Sequence, residues 1–312
     1  MTIVKPPRLK KGDLIGLVSP ASTIADPTRI DRGVSYLERL GYRVIIGQHV
    51  LKVNGYLAGT DAERVEDLHR MFGNKEVKAV WCIRGGYGTP RILRHLDYRL
   101  LRQNPKIFVG YSDITTLQMA IFRRTGLVTF HGPMLGVDMA GQMEPYSEER
   151  LWQVLTSATR AGRIPLPAPG PLTLAPGRAT GRMLGGNLAL LQAIMGSRYL
   201  PDLDGALLYL EDLGEEPYRV DRMFVHLLNA GVFAKVNGLM VGQFTDCEPK
   251  DPSKPSLSLD HVIEEAAAYA GVPVLGRLPF GHDDVKLTIP VGIRGRIDAT
   301  AGTLEFLEPA VR

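Results

Sequence analysis

The chain has 312 residues, of which 45% are hydrophobic and 22% charged, and a formal net charge of +4. Such a balance describes a folded globular protein rather than a disordered one, with enough length for two ordinary domains. The small positive excess includes no run of Lys or Arg, which argues against a phosphate-tracking surface and hence against nucleic acid as a partner.

Only two cysteines occur, Cys82 and Cys247. A disulfide framework is therefore excluded, which suits a reducing compartment. The opening residues MTIVKPPRLKKGD lack an apolar stretch of signal-peptide length, and no run reaches the ~18 apolar residues of a spanning helix. The expected location is the cytoplasm, with no membrane association.

In chain order, Asp13 to Ser19 reads as a buried strand stopped by Pro20. Asp26-Pro27 then opens a helix carrying Ile30, Val34, Leu37 and Leu40 at helical spacing, and Gly41 ends it. Tyr42 to Ile46 is a second strand. Thr60 and Glu63 form a capping box ahead of Val65, Leu68 and Phe72. Val77 to Ile83 and Ile107 to Tyr111 are further strands, the latter followed by a helix bearing Ile114, Leu117, Ile121 and Phe122, and then a fifth strand from Leu127 to Phe130. This alternation predicts an α/β domain with a parallel sheet, whose ligands bind beyond the carboxyl ends of the strands. The loops at Pro20 to Thr23, Arg84 to Thr89 and Ser112-Asp113 fall there.

Gly162 to Ala179 is rich in proline and glycine and reads as a stiff linker. The expected division is thus 1–161, linker 162–179, and a second α/β domain over 180–312. In that second part, Gly186-Asn187 starts a helix through Met195. Ala206 to Leu210 is a strand ending at Glu211-Asp212, and Pro217 opens a helix reaching Asn229. A strand follows at Gly238 to Phe244, a helix at Leu259 to Tyr269 and a strand at Val272 to Leu278. From Leu287 onward, short alternating runs suggest hairpins.

Four places carry residues able to do chemistry. Ser112 sits where an apolar strand turns into a helix, beside free amides that favour negative charge. This is the setting of a nucleophile elbow without the G-x-S-x-G pattern; the plainer alternative is that Ser112 or Asp113 caps the helix. Arg84-Gly85-Gly86-Tyr87-Gly88 follows a strand and can present backbone amides as a phosphate cradle, as half of an oxyanion hole, or simply as a tight turn. Glu211 and Asp212 are either solvated turn residues or carboxylates that hold an imidazole. His282, after Phe280-Gly281, is one candidate base, and His131 in Phe130-His131-Gly132-Pro133-Met134 is its rival. None of the seven histidines stands in a metal-ligand pattern, so neither metal nor cofactor is expected.

Together these segments resemble the LD-carboxypeptidases, the muramoyl-tetrapeptide carboxypeptidase family. The resemblance runs through Gly16-Leu17-Val18-Ser19-Pro20-Ala21, Gly59-Thr60-Asp61, Arg84-Gly85-Gly86-Tyr87-Gly88 and Gly110-Tyr111-Ser112-Asp113. It continues through His131-Gly132-Pro133-Met134, Gly185-Gly186-Asn187-Leu188, Tyr209-Leu210-Glu211-Asp212, Glu215-Glu216-Pro217-Tyr218 and Phe280-Gly281-His282. It implies a flavodoxin-like N-terminal domain, a smaller mixed α/β C-terminal domain and a homodimer. The implied triad is Ser112 as nucleophile, His282 as base and Glu211 as its orienting carboxylate, with the amides of Asp113 and Gly86 as the oxyanion hole. The implied substrate is a peptidoglycan-derived tetrapeptide cut before its terminal D-alanine. The group that binds the substrate carboxylate stays open, with Arg84 and Lys286 among the candidates. The same superfamily includes microcin C self-immunity hydrolases, which cut acyl-sulfamoyl or acyl-phosphoramidate nucleotides and carry a longer, aromatic-bearing interdomain loop. A reading of another class is a non-catalytic binding protein with a cleft between two α/β domains.

Overall fold

The computed structural model describes residues 2–312. The first half alternates strand and helix: β1 (Leu14–Val18), α1 (Thr28–Arg39), β2 (Arg43–Ile46), α2 (Asp61–Gly73), β3 (Val77–Cys82), the single turn α3 (Thr89–Ile92), α4 (Tyr98–Gln103), β4 (Ile107–Gly110), α5 (Thr115–Thr125), β5 (Thr129–His131) and α6 (Pro145–Thr156). The second half comprises β6 (Gly162–Arg163), β7 (Leu172–Ala175), β8 (Arg178–Asn187), α7 (Leu188–Ala193), β9 (Ala206–Leu213), α8 (Pro217–Asn229), β10 (Gly238–Thr245), α9 (Leu259–Ala270), β11 (Val274–Gly276), β12 (Ile289–Val291), β13 (Arg294–Asp298) and β14 (Thr303–Phe306).

Local chemistry explains the boundaries. The Thr60–Glu63 capping box starts α2 as expected, with both reciprocal bonds in place. Asp26 accepts from the Thr28 amide at 3.0 Å and so opens α1. Gly126, in the left-handed region at φ 75°, ends α5.

Two sheets result. The first has six strands in the order β12-β5-β4-β3-β1-β2. Strands β1 to β5 are mutually parallel, and their 2-1-3-4-5 order is the flavodoxin-like one. Strands β1 and β3 are buried along nearly their whole length, as a sheet covered on both faces requires. The second sheet has eight strands in the order β6-β14-β13-β8-β9-β10-β11-β7. Its centre, β8-β9-β10-β11, is parallel, and its flanks are antiparallel. A flavodoxin-like layer thus stands beside a mixed α/β layer, as expected.

Three features depart from the sequence reading. Segment 162–179 is not only a linker: β6 and β7 occupy the two outer edges of the second sheet. Prolines at positions 165, 167, 169 and 171 keep the span between them out of strand, and edge strands are where such a segment can pair at all. The tail is not solely hairpins. β13 and β14 pair as one, but β12 crosses to the first sheet and lies antiparallel to β5, with Ile289 opposite His131. Finally, β8 extends ten residues through Gly181, Gly185 and Gly186, in a stretch whose glycines conceal strand character. At Gly185, with φ 140°, a Cβ would stand 1.9 Å from the Tyr209 carbonyl oxygen, so only glycine lets β8 approach β9 there.

Candidate active site

The carboxyl ends of β4 and β9 meet the loop after β11. At the end of β4, Ser112 adopts φ +63°, in the left-handed region that costs a non-glycine residue energy. It is not a helix cap: the turn Ser112–Ile114 shows no side-chain cap bond. Strain of this kind persists where surrounding structure imposes it. Here Gly85 is the neighbour, since a Cβ on Gly85 would lie 3.0 Å from the Ser112 Cβ and 3.2 Å from its Oγ. The glycine loop thus lies directly on the serine, and a side chain at position 85 would push it by a few tenths of an ångström.

Asp113 turns away from the helix and into the protein. Its carboxylate accepts from the Thr89 amide at 2.8 Å, and the Thr89 hydroxyl bonds the Asp113 carbonyl. Burial raises the Asp113 carboxyl to about 6, against the opposing pull of the Thr89 hydrogen bonds and the Arg64 charge. Arg64, itself buried, donates to the carbonyls of Pro20 and Gly88 and pairs with Asp61. The loops after β1 and β3 are thus tied to each other, and Asp113 ties the second to the serine turn. Among the described residues, the backbone amides of Gly86 and Asp113 donate to no protein acceptor. Both remain available as hydrogen-bond donors: that of Asp113 directly follows Ser112, and that of Gly86 directly follows Gly85, the residue packed on the serine.

The second half supplies the carboxylate and the imidazole. Glu211 and Asp212 end β9 but are not solvated, at 0% and 2% exposure. They divide the work. Glu211 Oε2 lies 2.8 Å from His282 Nδ1. Asp212 accepts from the Asn187 side chain at 2.8 Å and from the Ala189 amide at 3.0 Å, fixing the start of α7. Burial holds the Asp212 carboxyl up at about 6, with the neighbouring Glu211 charge adding to the rise. Asn187 in turn accepts from Leu190 as the α7 cap, and its amide donates to Thr115 Oγ1 at 3.1 Å. The second sheet is thereby latched to the first turn of α5, immediately after the turn that carries Ser112. Only the Gly185-Gly186-Asn187 segment of the sequence hinted at that latch.

His282 is brought to the serine side by aromatic packing. The Tyr111 ring, one residue before Ser112, stands edge-on to the His282 ring at 5.0 Å between centroids. The loop after His282 is pinned to the first half. The Lys286 amide donates to Ser147 Oγ, which donates to the Asp284 carbonyl. The Lys286 ammonium pairs with Asp138 at 2.9 Å and lies over the Tyr111 ring. A cavity of about 220 Å³ opens beside His282, lined among others by Pro133, Met143, Asp284 and Lys286. Arg84 donates to the Thr23 carbonyl.

His131, the rival base, is placed differently. It is buried at 2% exposure among Tyr111, Tyr209 and Phe280. Desolvation lowers it to about 4, against the attraction of Glu211. It therefore stays neutral near pH 7, away from solvent. Both cysteines are buried free thiols. Among the described residues no cluster of His, Cys, Asp and Glu could hold a metal, and no helix is long and apolar enough to cross a membrane.

Comparison with known proteins shows which family the chain resembles. Residues 15–132 match the LD-carboxypeptidase N-terminal domain, and residues 180–297 match the LD-carboxypeptidase C-terminal domain. A probable murein peptide carboxypeptidase of Bacillus subtilis is 42% identical, over 96% of this chain and 93% of its own. The solved muramoyltetrapeptide carboxypeptidase of Oxalobacter formigenes is similar with a TM-score of 0.82 and 30% identity, over 94% of this chain and 97% of that one. A solved structure of the microcin C7 self-immunity protein MccF with aspartyl sulfamoyl adenosine is similar with a TM-score of 0.91 and 27% identity, over 99% of this chain and 100% of that one. With both of its domain models matched and a relative at 42% identity along nearly its whole length, the chain belongs to the LD-carboxypeptidase family.

Proposed function

We propose that this protein is a serine carboxypeptidase that hydrolyses the L-D amide bond to the terminal D-alanine of peptidoglycan-derived tetrapeptides, working in murein recycling in the cytoplasm as a homodimer. In this reading residues 1–161 carry the nucleophile, 162–179 bridge the halves, and 180–312 carry the carboxylate and the base. The single observation that carries it is the buried Glu211 carboxylate held 2.8 Å from His282 Nδ1, with the imidazole packed against the residue preceding a strained serine.

The chemistry follows from those groups. A serine hydroxyl is a weak nucleophile at its own pKa and needs a base. Glu211 accepts the proton on His282 Nδ1, so Nε2 is left as the basic nitrogen, to take the Ser112 proton during attack. The carboxylate stabilises the imidazolium that forms, and that imidazolium then protonates the departing D-alanine amine. The free amides of Asp113 and Gly86 receive the tetrahedral oxyanion, where one donor is worth about 3 kcal/mol of barrier. Water, activated by His282, clears the acyl-enzyme. The sequence requires no metal or cofactor.

The decisive assay is release of D-alanine from a purified muramyl tetrapeptide, followed by mass spectrometry. Ser112→Ala is expected to lower turnover by at least about 10⁴-fold with the fold intact. Unchanged turnover in that variant would remove the triad reading, and binding without turnover in the unsubstituted protein would favour a non-catalytic binding role. The likeness to MccF supports a second reading, cleavage of an aminoacyl-sulfamoyl nucleotide. Segment 162–179 contains no Trp, Tyr or Phe to stack on a base, and this favours the peptide substrate. Side-by-side rates on the tetrapeptide and on aspartyl sulfamoyl adenosine separate the two.

A further inference from the structure

Behind the Glu211–His282 pair, five buried polar atoms have no protein partner: both ring nitrogens of His131, the Tyr209 hydroxyl, the Thr288 hydroxyl and the second Glu211 oxygen, Oε1. They belong to one neighbourhood. Tyr209 and Glu211 are two residues apart on β9 and so share a face of the strand. The His131 ring meets the Tyr209 ring edge-on at 5.5 Å and lies 5.9 Å from Tyr111, which contacts His282. Thr288 precedes the residue paired with His131 across β5 and β12, and it abuts Gly132. Phe280 closes the group against both His131 and Tyr209. Glu211, Tyr209 and Thr288 are 0% exposed.

Leaving such groups unpaired is costly, above all an oxygen of a carboxylate that must carry charge, and native interiors avoid it. The set is chemically complementary. A neutral imidazole has one donor and one acceptor, a phenol donates, and a carboxylate oxygen accepts. A polar, enclosed space bounded by several such groups satisfies them through an internal water with two to four partners.

We propose that His131 is a positioning residue of the site: its neutral ring, together with the Tyr209 hydroxyl and one bridging water, supplies the hydrogen bond that Glu211 Oε1 needs, and thereby fixes the carboxylate that orients His282. The proposal rests on the triad reading for its effect on catalysis, but its structural part needs only the observed Glu211–His282 bond. His131 takes no proton from substrate. The other ionisable groups facing it are Glu211, His282 and Lys286, the last already paired with Asp138, and the buried phenols Tyr111 and Tyr209.

The test replaces His131 by Phe, which keeps a ring against Tyr111 and Tyr209 but removes both nitrogens, and by Gln, which keeps a donor and an acceptor. Two readouts are taken: the low-field proton resonance of the His282 Nδ1–H followed against pH, and the rate of Ser112 labelling by a fluorophosphonate. A Glu211 that has lost a donor is a stronger base, so the His282–Glu211 pair takes up its proton at higher pH. His131→Phe is expected to raise the midpoint by about one pH unit, the equivalent of one hydrogen bond, and to slow labelling about tenfold. His131→Gln is expected to recover most of both. An unmoved midpoint in folded His131→Phe overturns the proposal, as does equal impairment of the Phe and Gln variants. Should His131→Phe fail to fold, Tyr209→Phe is read in the same way, with a smaller upward shift expected and no shift fatal to the idea. Failure of the unsubstituted protein to label at Ser112 would sink the triad reading alone, because the resonance still decides the role of His131.

Discussion

Two strand ends supply this site, and they solve opposite problems. At the end of β4, Gly110-Tyr111-Ser112-Asp113 gives up regular backbone: Ser112 adopts φ +63° against Gly85, and among the described residues the amide of Asp113 after it has no protein acceptor. At the end of β9, Tyr209-Leu210-Glu211-Asp212 keeps regular strand and buries two carboxylates instead. In sequence both are an apolar strand running into a polar pair. The lesson is that the serine is set apart by its backbone conformation, with Gly85 packed against it. The carboxylates are set apart by burial and by their hydrogen-bond partners: His282, 71 positions away, for Glu211, and Asn187 with Ala189 for Asp212.

That contrast can be broken at each end. The largest effect is expected at Glu211. Glu211→Gln keeps the shape but offers His282 Nδ1 an amide, which can select the wrong tautomer, and kcat should fall by about 10³–10⁴-fold. A loss below tenfold, measured on the tetrapeptide or with a serine-reactive probe, would mean that the buried carboxylate does not orient the base. Next comes Gly85→Ala. The added Cβ meets Ser112 Cβ at 3.0 Å and its Oγ at 3.2 Å, so the serine must shift by a few tenths of an ångström. A fall in kcat of about 10–10²-fold with little change in melting temperature is expected, because small misplacements of a reacting group are expensive. The smallest effect sharpens the idea of stored strain. Glycine adopts the Ser112 backbone conformation freely and alanine does not. Ser112→Gly should therefore be more stable than Ser112→Ala by about 1 kcal/mol in urea unfolding, although both lack the hydroxyl. Equal stabilities would show that the turn is not strained by its side chain.

The first sheet was largely legible because its signals are local. The Thr60–Glu63 box, the apolar runs of β1, β3 and β4, and the helix of Ile114, Leu117 and Phe122 each follow from residues within a turn or two of one another. Strand β8 was not legible, because its glycines read as turn when taken alone and as close packing only once β9 lies against them. Segment 162–179 misled for a similar reason. Its prolines argue correctly against a central strand, but an edge has no such requirement, and β6 and β7 are edges. The placement of β12 on the first sheet depends wholly on a long-range pairing with β5.

The same division runs through the site. Ser112, Glu211 and His282 were singled out by motifs, since each sits at the end of a recognisable strand or loop and their order along the chain resembles one family. Between His131 and His282 the flanking residues alone did not choose; the resemblance to the family pointed to His282. His131 follows Phe130 and His282 follows Phe280-Gly281, and nothing in their flanking residues states which is dry.

The linear chain by itself determined the parallel layer and the capping of its helices, because these depend on periodicity and on neighbours a few residues away. The resemblance named Glu211 and His282 together, but only the tertiary structure put the two in contact and left His131 buried among unpaired polar groups. Those outcomes are set by desolvation and by hydrogen bonds between residues 71 or more positions apart, such as Glu211 and His282. No local pattern encodes them.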